Sequence, residues 1–316
     1  GLACMFTMMN NARLAVGLQG VAVAERACQQ ALAYARERRQ GRAAGQETGQ
    51  DGPSPIIAHP DVQRSLLTMK ALTSASRAIC LMTAASIDRA RLSPDPADRA
   101  TAHERASLLT PVAKAFSTDA GVQVASIGVQ VHGGMGYVEE TGAAQHLRDA
   151  RILPIYEGTN GIQAIDLVTR KLPLSGGRAV RAQIAGMRSI VARLQKEAGS
   201  DFGATGPRLR DAVESLDRAT SHLLAAAAGN APGDALAGAT PYLRLFGLTQ
   251  GGAALALAAL EAQRLLRSGA DDPAHRGRIA LCRFHAENLL VEAGGLEDAV
   301  LSGAGFLQDA ALALAS

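Results

Sequence analysis

The sequence predicts an all-α protein whose helices fall into two groups. Three observations point that way. No segment alternates Val, Ile, Thr or Tyr with polar residues as a strand would. Four Tyr, six Phe and no Trp leave little material for a β-domain. Hydrophobic residues make up 47% of the 316, much of it alanine, the strongest helix former.

The elements follow from periodicity and breakers. Residues 5–39 form one long helix, with Leu14, Leu18, Val21 and Ala24 at core spacing. The glycine-rich polar stretch 41–55 is a loop. Helices follow at about 60–91 and 99–130, separated by Ser93-Pro94-Asp95-Pro96, then shorter ones at 139–150 and 160–171. Leu174-Ser175-Gly176-Gly177 is the domain boundary, giving domains 1–173 and 178–316. Beyond it the pattern predicts helices at about 178–198, 207–228, 233–267, 272–293 and 296–314. Ile184, Met187, Val191 and Leu194 repeat at heptad-like spacing, which predicts a second antiparallel helical bundle.

Composition narrows the function classes. A net charge of +3 with scattered arginines gives no nucleic-acid surface. The cysteines at 4, 28, 80 and 282 have no paired spacing, so free thiols are expected. The most apolar run, 251–260, is too short for a membrane span and ends at Glu261. His275 and His285 lie ten residues apart and do not share a helix face, so with Glu292 they make no metal site. His132 has no second ligand at metal spacing and reads as structural.

The stretch 152–163, Ile-Leu-Pro-Ile-Tyr-Glu-Gly-Thr-Asn-Gly-Ile-Gln, carries the chemistry. Ile152, Leu153 and Ile155 can wall Glu157 off from water, and Pro154 breaks the preceding helix. Gly158 removes bulk beside the acid, and Thr159 and Asn160 can cap the next helix. A carboxylate in an apolar pocket holds its proton to higher pH, which suits a general base acting on a carbon acid. Taken locally, Glu-Gly-Thr-Asn is also an ordinary solvated turn.

Four segments, in order, resemble the C-terminal part of the flavin-dependent acyl-CoA dehydrogenases. They are residues 8–20 (Met-Met-Asn-Asn-Ala-Arg-Leu-Ala-Val-Gly-Leu-Gln-Gly), 34–42 (Tyr-Ala-Arg-Glu-Arg-Arg-Gln-Gly-Arg), 130–137 (Gln-Val-His-Gly-Gly-Met-Gly-Tyr) and 148–163. The resemblance implies a four-helix bundle with a catalytic turn in the first domain. It places Glu157 as the base that removes the proton alpha to an acyl-CoA thioester, while a hydride leaves the beta carbon for FAD. Arg38 matches an arginine on the FAD pyrophosphate. Gln130, Gly133 and Gly134 match the segment holding the adenosine end, with these contacts made across a subunit interface. Thr159 matches a threonine beside the cofactor. Arg13, Tyr156 and Gly158 are placed near the substrate.

The likeness also implies a homodimer or homotetramer and electron-transfer flavoprotein or a similar acceptor, while the unpaired cysteines point to a reducing compartment and so to a cytoplasmic location. Gln40-Gly41-Arg42 departs from the usual Phe-Gly continuation, and Gly161 replaces a common glutamine. The C-terminal extension resembles the larger subgroup that includes the 3-methylmercaptopropionyl-CoA and long-chain types. Met8 already lies inside the first motif, with neither preceding domain of the family before it, so a C-terminal fragment inactive by itself is expected. A non-catalytic dimerisation scaffold and an acyl-CoA oxidase using oxygen are the alternatives.

Overall fold

The computed structural model describes residues 2–44, 52–229, 232–307 and 310–315. It is all-α, and among the described residues extended pairing is limited to an isolated bridge between Arg39 and Pro55. The first group comprises α1 (Leu2–Glu37), α2 (Pro60–Leu92), α3 (Pro96–His132), α4 (Gly134–Tyr137), α5 (Ala143–Ala150) and α6 (Asn160–Asp166). A π-helical turn, Leu167–Lys171, continues α6. The second group comprises α7 (Arg178–Glu197), α8 (Thr205–Ala228), α9 (Pro232–Ala237), α10 (Ala239–Arg267), α11 (Pro273–Asn288), α12 (Ala293–Leu301) and α13 (Ala310–Ala315).

Helix starts follow local chemistry. Asp95 caps α3 by accepting from the Ala97 amide at 2.9 Å, and Pro96 takes the first helical position. Asp272 and Pro273 repeat the device on α11, with the Ala274 amide at 2.8 Å. The linker 174–177 turns through left-handed Ser175, Gly176 and Gly177, which reverses the chain into α7.

The buried stripe on α1 is Leu14, Gly17, Val21, Ala24, Cys28, Ala31 and Ala35, alternating steps of three and four. Leu18 falls one position off this stripe and is 42% exposed, so its expected core role is corrected. Small residues on the stripe let α1 and α3 touch backbone to backbone. A Cβ placed on Gly20 would lie 2.5 Å from the Ser117 carbonyl oxygen and 3.0 Å from the Thr118 Cα. Neither atom can rotate away. Ala gains about 1 kcal/mol of helix propensity over Gly, while overpacking costs about 3 kcal/mol. Gly20→Ala is therefore expected to lose about 2 kcal/mol net, lowering Tm by roughly 3 °C. Calorimetry on the chain and variant checks this, and an unchanged or raised Tm would contradict the close crossing.

Three predicted helices are interrupted. The helix expected over 233–267 breaks at Gly238, where Val300 approaches so closely that a Cβ would meet its Cγ1 at 3.2 Å. The one expected over 272–293 ends at Asn288 and passes into a 3-10 turn, Leu290–Glu292. The one expected over 296–314 begins earlier, at Ala293, and stops at Leu301. There Gly303 takes φ +60°, and the Ala304 amide donates to Asp234 at 2.7 Å. The remaining bounds agree within a turn, except that 139–150 divides into a 3-10 turn, Glu139–Thr141, and α5.

One continuous apolar core runs through both groups. α10 is its axis, packing on α2, α3 and α6 as well as α7, α8 and α11. Its apolar stretch is longer than the sequence run suggested. By length and composition α10 could cross a membrane, yet 72% of its most apolar window is buried inside the protein. Ile184, Met187, Val191 and Leu194 all face this core. Cys28, Cys80 and Cys282 are buried free thiols, and the side chain of Cys4 lies outside the described residues.

Candidate functional site

The predicted site residues separate into two places. The first is a groove of about 630 Å³ between the C-terminal ends of α1 and α3. Arg38, Gln130, Gly133 and Gly134 line it together, although the arginine and the glutamine are far apart in sequence. Arg38 follows the last turn of α1, where its amide donates to the Tyr34 carbonyl at 2.8 Å and its own carbonyl accepts from Ile56 at 2.8 Å. Its side chain is exposed. Gly133 ends α3 at φ +60°, and a Cβ on Gly133 or Gly134 would face open space.

His132 forms the inner wall of this groove. It is 4% exposed, stacks on Tyr34 with centroids 4.5 Å apart, and its Nδ1 lies 2.7 Å from the Gly128 carbonyl. It is a structural histidine. The groove thus offers an exposed guanidinium, a glutamine side-chain amide and a glycine pair that leaves the backbone open to close approach, with the Gly133 amide itself bonded to the Gln130 carbonyl at 3.0 Å. That donor set suits a diphosphate joined to a nucleoside.

The second place is the turn before α6. Glu157 sits at φ +55°, a left-handed conformation uncommon for a residue with a side chain, and Gly158 follows at φ +85°. Thr159 caps α6, accepting from the Ile162 amide at 3.3 Å. Asn160 is the first residue of α6 and does not cap it. The expected apolar enclosure is corrected here. Leu153 is buried, but Ile152 and Ile155 are each 49% exposed and Glu157 itself is exposed. The reason is directional: the left-handed backbone sends the turn's carbonyls inward to polar partners and leaves the carboxylate outward.

Those inward partners were not read from the sequence. Gln163, fully buried, donates to the carbonyls of Glu157 at 3.2 Å and Gly158 at 3.3 Å. Lys114, also fully buried, donates to the Gly158 carbonyl at 2.9 Å and to Asn160 Oδ1 at 2.8 Å. Asn160 in turn donates to the Ala115 carbonyl at 3.1 Å and to Asp119 at 2.7 Å. Burial lowers the Lys114 ammonium to about 8, with the Arg13 guanidinium adding to the fall and Asp119 and Glu157 opposing it. Crowding by protein raises the Asp119 carboxyl even though its side chain keeps contact with solvent. The one visible signal for Lys114 is a lone lysine inside the apolar run 108–116.

Arg13 and Tyr156 complete the neighbourhood. Arg13 is 7% exposed and pairs at 3.3 Å with Asp166, itself 2% exposed. Arg170 reaches the other oxygen of Asp166 at 2.5 Å. The Tyr156 hydroxyl donates to Gln19 on α1. None of Arg13, Tyr156, Glu157, Gly158 or Thr159 lines the groove that holds Arg38.

Comparison with known proteins places this architecture. The profile of the acyl-CoA dehydrogenase C-terminal domain matches residues 1–172, and that of the acetyl-CoA dehydrogenase C-terminal-like family matches 180–310. The chain belongs to the acyl-CoA dehydrogenase family, in the subgroup with an added C-terminal helical domain. It is 47% identical over 292 residues to the 3-methylmercaptopropionyl-CoA dehydrogenase of Ruegeria pomeroyi, covering 92% of this chain and 49% of that one. It is 31% identical over 310 residues to a broad-specificity linear acyl-CoA dehydrogenase of Mycobacterium tuberculosis, with the same coverage of 92% and 49%.

Among solved structures, an acyl-CoA dehydrogenase of Bacillus anthracis complexed with FAD superposes with a TM-score of 0.72 at 17% identity, over 95% of this chain and 50% of that one. Caenorhabditis elegans ACDH-11 in complex with C11-CoA gives 0.71 at 19% identity, over 92% and 44%. These likenesses show the fold. The chain spans about half the length of the two relatives described here.

Proposed function

We propose that this chain is the C-terminal part of an FAD-dependent acyl-CoA dehydrogenase, with Glu157 as the base that takes the proton alpha to the thioester. FAD, when bound, supplies the acceptor for the hydride leaving the beta carbon. The observation that carries the reading is the gathering of Arg38, Gln130, Gly133 and Gly134 along one groove. The 47% identity to a dehydrogenase of an acyl-CoA supports the same class of substrate.

In this reading, Arg38 offers paired donors to the pyrophosphate, and Gln130 and the glycine pair hold the adenosine end. Glu157, Thr159, Gly158, Tyr156 and Arg13 face the flavin and the substrate of a different copy of the site. The reading includes a homodimer or homotetramer, in which the two places serve different copies of the site. Residues 1–173 form the flavin- and substrate-facing domain and 178–316 the appended one. Electron-transfer flavoprotein or a similar protein takes the electrons, in the cytoplasm, and the chain alone does not turn over.

The test is flavin retention by the purified full-length protein with and without Arg38→Ala. A loss of about 1.5–3 kcal/mol for a charge-assisted contact corresponds to roughly 10–100-fold weaker FAD binding. The absorbance of retained flavin, and its bleaching by an acyl-CoA, report both halves of the proposal. Unchanged flavin content in the variant sinks the assignment of the groove, and the non-catalytic scaffold then leads.

A further inference from the structure

We propose that Lys114 is a positioning residue that holds the Glu157 turn in place through the Gly158 carbonyl and the Asn160 side chain. The inference rests on the reading of Glu157 as the base.

The turn needs such a hold. Two consecutive residues, Glu157 and Gly158, sit in the left-handed region, and the first of them carries a side chain that disfavours it. Conformations of this kind persist only where the surroundings over-determine them. On the solvent side Ile152, Ile155, Tyr156 and Glu157 are all exposed, and the tie there is the Tyr156 hydroxyl on Gln19, which precedes the left-handed pair and leaves the carbonyls of Glu157 and Gly158 untouched. The carbonyls of the left-handed pair are held from inside. Among the described residues, two buried side chains donate to the turn's carbonyls: Gln163, five and six residues downstream, and Lys114 on the neighbouring helix α3.

The two donors do different things. Gln163 belongs to α6 and moves with it, so it closes the turn on its own helix. Lys114 is fixed by α3, the central helix of the first group, and ties the turn and the start of α6 to that scaffold. A second tie runs alongside it: Asn160 bonds to the Ala115 carbonyl, to Thr118 Oγ1 at 2.9 Å and to Asp119. Placing an ammonium in a fully buried position costs free energy. It is offset here because two oxygens, the Gly158 carbonyl and Asn160 Oδ1, both point at it, with the carboxylates of Asp119 and Glu157 close enough to favour its charge. A lysine that merely filled space would be replaced more favourably by methionine, so the two bonds are its purpose.

The test uses Lys114→Met, which keeps the length of the side chain and removes its donors, and Asn160→Ala as the second variant should the first not fold. Backbone amide exchange in the full chain is read at residues 158–163 and, as a control, along α8. Loss of both Lys114 bonds is expected to speed exchange at 158–163 about tenfold while leaving α8 unchanged. In the flavin-loaded full-length protein the same variant is expected to retain FAD and to slow flavin reduction by acyl-CoA about 10–100-fold. The apparent affinity for acyl-CoA should stay within about twofold, a split that general destabilisation does not produce.

Unchanged exchange at 158–163 overturns the positioning role whatever the kinetics do. Faster exchange with a normal rate of flavin reduction overturns its link to the reaction. Failure of the underlying reading is distinct: it appears as normal flavin reduction in Glu157→Gln, with the exchange result for Lys114→Met unaffected.

Discussion

Glu157→Gln is expected to leave flavin content unchanged and to lower the rate of flavin reduction by acyl-CoA about 10²–10⁴-fold, the usual contribution of a placed general base. The substitution is nearly isosteric. Gln tolerates the same backbone as Glu, and the carbonyl at 157 keeps its bond from Gln163 because that bond is to the main chain. The turn should therefore hold its shape while losing its basic oxygen. Flavin should be retained because the residues assigned to its nucleotide end line a different groove. Stopped-flow bleaching of the flavin is the measurement. A variant that bleaches at the wild-type rate removes Glu157 from the chemistry, and one that loses its flavin shows that the two places are coupled. The exposure of Glu157 bears on the size of the effect. A base taking a proton from carbon works best away from water, so the acyl-CoA and the rest of the protein have to cover this face.

The second large effect is on acid stability and comes from His285. Its ring is fully buried against Gly252, and among the described residues neither ring nitrogen has a hydrogen-bond partner. Burial alone lowers it from 6.5 to about 4. The folded state therefore keeps the ring neutral where the unfolded chain takes up a proton. Between those two values the unfolded chain binds more protons, so stability falls as pH drops through the window and is fully present above about 6.5. The loss reaches about 3 kcal/mol by pH 4.

His146, also lowered by burial, adds a smaller loss of the same sign. The clean measurement is consequently a difference: urea denaturation of wild type and His285→Leu between about pH 6.5 and 4.5. The variant should show a much shallower decline. Parallel curves would mean that His285 finds a partner or water in solution. The lowered carboxylates, among them Glu25 and Glu297, contribute losses that are felt below this range.

Much of this fold was legible because helical periodicity is a local signal. The stripe on α1 and the heptad positions on α7 needed no partner to be seen. The errors lie where a particular neighbour intervenes. Gly238 breaks a helix because Val300 crowds it, and Leu18 faces outward because the stripe passes through Gly17 and Val21 instead. The site divides the same way. Arg38, Gln130 and Glu157 stand out through motif, whereas the Arg13–Asp166 pair and the Lys114 contacts join residues 153 and 44 positions apart. No spacing rule reaches that far. The pocket around Glu157 was misjudged because apolar residues flanking an acid do not establish which way they turn.

The axial placement of α10 also sets an order of events during synthesis. α2 leaves the ribosome before α10, and the face that α10 will cover includes Ala75, which Gly251 approaches so closely that a Cβ would lie 2.6 Å away. Roughly 150 residues separate the end of α2 from the start of α10, which at 5–20 residues per second is about 7–30 s of translation. Through that interval the nascent first group carries an uncovered apolar groove shaped for a helix it does not yet possess. Its quality control in the cell is thus tied to the pace at which the second group arrives.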